Sequence, residues 1–197
     1  MGVASAVLAT VAALPAQAAL VFISDAASGA DNYNASNSIM TRFTTTAPVT
    51  LTHIGVEMDL ASAGSLNFVI FNSVTGALLF QTGAEAFVDD GMTFKVSDPL
   101  SFTLMPGTTY ALGAMANVAA AQSFVIPGGK TMGFISSLGS NQNGHGFLSP
   151  TLSFPPPIGA DGRVELFAEA AVVPEPTSLW LMVMGLVAVG VARRKAA

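Results

Sequence analysis

From residue 20 to 170 the hydrophobic positions recur with a period of two rather than 3.6, in short runs broken by turn residues. Met92, Phe94 and Val96 alternate with Thr93 and Lys95; Leu100, Phe102 and Leu104 with Ser101 and Thr103; Val164, Leu166 and Ala168 with Arg163, Glu165 and Glu169. Each run predicts a strand whose apolar set faces a core and whose polar set faces water. Between Leu66 and Phe71 both phases are apolar, which predicts a central strand covered on both faces. The apolar phase slips between Leu51 and Ile54, so a bulge or short bend is expected near Thr52 and His53. Turns are predicted at Asp89-Asp90-Gly91, Asp98-Pro99, Pro106-Gly107 and Pro127-Gly128-Gly129. The polar stretch Ser136 to Gly146 reads as a loop, and Pro155-Pro156-Pro157 as a stiff connector before the last strand. With no internal repeat, residues 19–170 suit one domain. The expected class is all-β, a single antiparallel β-sandwich of jelly-roll or Greek-key type.

Two apolar runs do not follow this pattern. Residues 1–19, MGVASAVLATVAALPAQAA, stop at Pro15 and continue with Ala16-Gln17-Ala18, the small-x-small pattern that a signal peptidase accepts. A secretory signal peptide over residues 1–18, cut after Ala18, is the expectation. Such peptides normally begin with Lys or Arg, so the natural start of translation is expected upstream or trimmed. The alternative is an Ala-rich buried helix; Pro15 and the lack of a polar face argue against a surface helix.

The second run, Thr177 to Ala192, holds sixteen residues without a charge. As a helix at about 1.5 Å per residue it spans roughly 24 Å, short of a hydrocarbon core about 30 Å thick. Its flanks decide the reading. Arg193, Arg194 and Lys195 follow directly and extend the span by snorkelling, and Trp180 sits near the other end, where an interfacial indole is favoured. A transmembrane helix at about 177–192 is expected, with the basic stop in the cytoplasm and everything before Pro174 outside it. Gly185 and Gly190 are five apart, so the close-packing dimer motif with glycines four apart is not present. Pro174 and Pro176 lack N–H groups and push their preceding residues toward extended geometry. Helix therefore does not propagate upstream, and the segment stays open to a processing enzyme; the alternative is a stiff spacer before a permanent anchor.

Composition sharpens this picture. The chain of 197 residues is 51% hydrophobic and only 10% charged, well below the roughly 25% charged residues of an ordinary soluble domain. That points to a membrane or an envelope. Cysteine is absent, which excludes disulfides, thiolate nucleophiles and zinc-cysteine clusters. Between the ends only Arg42, Lys95, Lys130 and Arg163 oppose the carboxylates, so the body is acidic and nucleic acid is excluded as a partner.

The order Pro174-Glu175-Pro176, apolar helix, Arg193-Arg194 resembles the PEP-CTERM sorting signal of exported bacterial proteins, over residues 171–197. The resemblance implies recognition by exosortase, a membrane-embedded transpeptidase-like enzyme that cuts near the triplet and releases the protein or transfers it to the cell surface. Signal peptidase and the inner membrane are the other implied partners, and extracellular polysaccharide is a further one. Thr41 to Asp59 and Phe102 to Ala114, the latter with Pro-Gly-Thr-Thr-Tyr, are similar to extracellular bacterial β-sandwich modules. That likeness bears on fold more than on function.

Candidate chemistry in the body is sparse. His53 and His145 are the only histidines and share no metal-ligand spacing; a strand-end residue and a loop residue are expected. No motif selects a pair among the scattered carboxylates. Asp25, Asp31 and Asn32 are expected in a polar loop, where oxygen ligands would suit Ca²⁺, although a solvated loop is the favoured reading and no cofactor is expected. Sugar platforms would need exposed rings, yet the only Trp lies in the tail, and Tyr110 is expected in the core. The Asn34-Ala35-Ser36 sequon is read as coincidence. The expectation is an exported surface or matrix protein with a structural or adhesive role and no catalysis. The alternatives are a carbohydrate-binding or glycan-hydrolysing module, and a permanently anchored envelope protein.

Overall fold

The computed structural model describes residues 18–139, 142–153 and 159–169. The signal segment before Ala18, the triplet, the helix expected at 177–192, the basic stop and the three prolines at 155–157 lie outside the described residues. Among the described residues no helix is long and apolar enough to cross a membrane.

The described chain is built of strands. In order they are β1 (Ala18–Ile23), β2 (Gly29–Tyr33), β3 (Asn37–Thr45), β4 (Val49–Leu60), β5 (Gly64–Asn72) and β6 (Leu78–Gln81). Then follow β7 (Glu85–Phe87), β8 (Thr93–Val96), β9 (Phe102–Leu104), β10 (Tyr110–Ala116), β11 (Ala120–Val125) and β12 (Thr131–Met132). The last are β13 (Ile135–Ser137), β14 (Gln142–His145), β15 (Thr151–Ser153), β16 (Asp161–Gly162) and β17 (Val164–Glu169). They form two antiparallel sheets. One runs β1-β17-β4-β11-β16, with β2 on β11 and β8 and β9 on β4. The other runs β12-β13-β3-β10-β5-β6, with β7 on β5 and the β14–β15 hairpin on β3.

One core is shared by both sheets. Phe22, Leu51, Ile54, Val56, Val164 and Leu166 of the first meet Phe43, Leu66, Phe68, Ile70 and Leu112 of the second. Phe22 and Phe43 touch edge to face across it, with ring centroids 5.0 Å apart. Buried polar groups fasten the same layer. Gln122 on β11 accepts from the Ser38 hydroxyl at 2.8 Å and the Ile39 N–H at 3.0 Å, and donates to the Ile39 carbonyl at 3.0 Å, so β11 is tied to β3 of the opposite sheet. A buried amide with both ends satisfied fixes relative sheet position at little desolvation cost.

The two-phase apolar run is a strand covered on both faces. Leu66, Phe68 and Ile70 of β5 enter the shared core, whereas Val69 and Phe71 pack with Met40, Ala111 and Met115 in a second cluster. Phe147 and Leu152 pack onto that second cluster from outside. The slip at Thr52 is a bulge: Phe167 pairs with His53 and Ala168 with Leu51, leaving Thr52 unmatched. Val164, Leu166 and Ala168 are buried as their alternation requires.

Strand β8 reverses its expected phase. Lys95 lies opposite the core residue Val56 and is 3% exposed, whereas Phe94 lies opposite Glu57 on the outer face and Val96 and Met92 are exposed. The lysine stem is apolar, and its ammonium finds partners at the sheet edge, Asp90 in the preceding turn and the Thr93 hydroxyl at 2.7 Å. Burial pushes that ammonium below its ordinary pKa, against the pull of Asp59 and Asp89.

Tyr110 opens β10 and is buried as expected. Its hydroxyl accepts the Met105 N–H at 2.8 Å, closing the Pro106-Gly107 turn back onto the strand it feeds. Gly107 sits at φ 80°, which a β-carbon would oppose. Tyr110→Phe leaves that N–H without its acceptor, so a loss of about 1 kcal/mol is expected in urea unfolding, with the slope against denaturant unchanged.

Candidate functional site

Three polar clusters stand out, two on the outward faces of the sheets and one buried at a turn between them. The first is built where β4, β17 and β8 run side by side. Gly55 pairs with Glu165 on one flank and Val96 on the other, and a β-carbon on Gly55 would sit 3.3 Å from Glu165 Cβ. The side chains of Glu165 and Val96 close in over the glycine from its two flanks. The neighbouring rows supply Glu57, Phe94 and Arg163 on one side and His53 and Phe167 on the other, all on the outward phase. Arg163 pairs with Glu57 and stands 5.0 Å over the Phe94 ring. His53 and Phe167 meet edge to face with centroids 6.1 Å apart. His53 thus lies inside β4 at the bulge rather than at a strand end. Burial raises the Glu165 pKa, and the Glu57 charge adds to this while Arg163 opposes it.

The second cluster surrounds the Pro127-Gly128-Gly129 turn. Asp161 is 2% exposed and its Oδ2 accepts the Gly129 N–H at 2.9 Å. Ser24, Asp25, Lys130 and Ser137 complete the lining of a cavity of about 10 Å³, room for about one water molecule and for no organic ligand. Burial pushes the Asp161 carboxyl above its ordinary pKa, outweighing the pull of Gly129, Ser137, Gly139 and Arg42. A carboxyl that holds its proton more tightly when folded makes stability fall as pH rises from the unfolded value toward the folded one. Asp161→Asn keeps an acceptor for Gly129 and removes the charge. Melting curves at pH 4 and pH 7 should therefore show the variant gaining on the natural protein at the higher pH.

The expected polar loop at Asp25, Asp31 and Asn32 is in part a strand. Asp31 and Asn32 belong to β2, paired with Gln122 and Ala121 of β11, and as adjacent strand residues they face opposite ways. Pairing with β11 holds this segment extended although Tyr33 is its only strong strand former. Asp25 is exposed and held by the Lys130 ammonium at 2.7 Å. Among the described residues no three His, Asp or Glu side chains are grouped so as to hold a metal ion.

The third cluster lies in the stretch Ser136 to Gly146, which is not a continuous loop. Ile135–Ser137 forms β13 and Gln142–His145 forms β14, both pairing with β3. Gly144 is the reason a polar segment docks there. A β-carbon on it would fall 2.4 Å from Met40 Cε and 2.7 Å from Met115 Sδ, so only glycine lets β14 lie flat on the second apolar cluster. His145 therefore ends a strand. Its Nδ1 is 2.7 Å from Asn37 Oδ1 and its Nε2 is 2.9 Å from Ser153 Oγ. No sequence spacing pointed to Asn37 or Ser153, because the three residues come from three separate strands.

Comparison with known proteins bears on the tail and not on these clusters. No curated protein matches the chain. A family model described as the PEP-CTERM protein-sorting motif matches residues 172–195, the segment that includes Pro174, Glu175, Pro176 and the basic stop. The chain thus carries a PEP-CTERM sorting signal, which implies export, handling by an exosortase and membrane-anchored display at the cell surface.

Proposed function

We propose that the protein is an exported β-sandwich of jelly-roll or Greek-key type, displayed at the bacterial surface or in the extracellular matrix, where it has a structural or adhesive role. The signal peptide at residues 1–18, the helix at about 177–192 and the cytoplasmic basic stop are parts of this reading. The observation that carries it is the sorting motif at residues 172–195. An all-β body sharing one core between two sheets is compatible with exposure outside the cell without disulfides or a cofactor. Mass spectrometry of the mature carboxy terminus from the native host tests the reading. A terminus at or near Pro174 supports processing; an intact chain through Lys195 at the surface favours the permanent anchor instead.

A second reading, saccharide binding, is favoured by the rings and charged groups that share the outward face around Gly55. Phe167 and His53 offer ring surfaces beside it, and Glu57, Glu165 and Arg163 offer acceptors and donors for sugar hydroxyls. Saturable binding of the full chain to a glycan array, lost in a Gly55→Leu variant that still melts cooperatively, would place polysaccharide contact on this face. A blank array would leave the structural role alone.

A further inference from the structure

We propose that Ser153, His145 and Asn37 act as nucleophile, general base and positioning residue, and that the body cleaves carboxylic esters bearing a short, polar acyl group. This goes beyond surface display and departs from the expectation that the body carries no catalysis.

The arrangement follows from strand register. β14 lies between β3 and β15, and His145 stands opposite Asn37 on one side and Thr151 on the other. Ser153 is two residues beyond Thr151, so it shares the His145 face and sits diagonally across from it. Gly144 faces Met40 and Met115, and strand alternation therefore turns the imidazole to the opposite, solvent-side face, where it is half-buried.

The hydrogen bonds select the tautomer. An amide oxygen only accepts, so Nδ1 carries the proton that it donates to Asn37 Oδ1 at 2.7 Å. Nε2 is then a bare lone pair 2.9 Å from the Ser153 hydroxyl oxygen. A nucleophile bonded to a base, with the base held by a third group, is the geometry that activates serine for acyl transfer. The Asn143 carbonyl is a second acceptor for the same hydroxyl at 3.2 Å, a longer contact than the imidazole offers.

A cross-strand bond next to the Asn37–His145 pair holds the ends of the two strands. Ser36, immediately before Asn37, sits at φ 68°, a left-handed conformation that strains a non-glycine residue. Gly146, immediately after His145, sits at φ 85°, and its N–H donates to the Ser36 carbonyl at 2.8 Å. This bond locks the ends of β3 and β14 together and so fixes the Asn37–His145 contact.

The step balances without a cofactor. Ser153 Oγ attacks the ester carbonyl carbon while its proton passes to His145 Nε2. The carbon–oxygen bond to the alcohol breaks, and the departing alkoxide takes that proton. Water then attacks the acyl-serine, His145 again accepts a proton and returns it to Ser153 Oγ, and the carboxylic acid leaves. Asn143, Thr151 and Ser36 beside the triad are polar, which favours short polar acyl groups over long lipid chains.

The full chain is the material for the test, with a fluorophosphonate and p-nitrophenyl acetate as probes. The fluorophosphonate is expected to label Ser153, located by peptide mass spectrometry, and p-nitrophenol is expected to be released with saturation. Ser153→Ala and His145→Gln should each lower kcat by about 100-fold or more, with melting temperature measured alongside to show that each variant is folded. Asn37→Leu should lower kcat while leaving KM near its natural value, and Asn37→Asp should restore most of the rate, a pattern that a merely structural tie does not produce. Labelling of another residue, no labelling at all, or ester turnover that survives Ser153→Ala in a folded chain overturns the proposal.

Discussion

Replacing Pro174, Glu175 and Pro176 together with alanine is expected to leave the chain in the inner membrane at unprocessed size and to abolish surface delivery. In the proposed reading, insertion would depend on the uncharged run from Thr177 to Ala192 and on the stop at Arg193, Arg194 and Lys195, and the substitution touches neither. What changes is the backbone upstream. Proline lacks an N–H donor and disfavours helix, whereas alanine is the strongest helix former, so three alanines would let a helix at 177–192 run back through the triplet. A processing enzyme that grips an extended strand then meets a helix whose amides are already bonded to one another. Substituting the three basic residues instead should weaken orientation and stop together, and so scatter the chain between topologies rather than trap it in one. Fractionation of cells expressing each variant, followed by the size of the chain in each fraction, separates the cases. Surface delivery of the triplet variant at mature size would show that residues 172–195 are not read through the triplet.

The sorting motif at residues 172–195 was legible in the sequence because its signal is contiguous: triplet, apolar run and cations follow one another in order. The body was legible wherever burial follows alternation, as in Leu66 to Phe71 and in the bulge at Thr52. It failed at β8, where hydropathy assigned Lys95 to water. The register with Val56 turned it inward, and Asp90 at the sheet edge met its ammonium. Phe94, displaced to the outer face, is covered by the Arg163 guanidinium. It failed again from Ser136 to Gly146, whose polar and glycine-rich composition carries no strand signal. There the partner strand β3 and the methionines beneath Gly144 supply the order. The grouping of Asn37, His145 and Ser153 depends on that docking, so it was invisible until β14 was placed.

The largest loss of stability is expected at the centre of β5. Phe68 is fully buried in the shared core, packs against Phe87 with ring centroids 6.1 Å apart, and belongs to a strand paired on both sides, by β10 and by β6 and β7. Neither neighbour can move inward to fill the space without breaking its ladder. Phe68→Ala therefore combines the lost transfer energy of the ring with an unrelaxed cavity, a cost of about 3–5 kcal/mol, against a total stability on the order of 5–15 kcal/mol. For a body of this size the melting temperature should fall by roughly 6–20 °C. Leu148 is the internal control: it is 81% exposed, so Leu148→Ala removes little buried surface and should shift melting by about 2 °C or less. Calorimetry of the natural chain and the two variants checks both numbers. Equal, small shifts at the two positions would mean that β5 does not lie at the centre of the core.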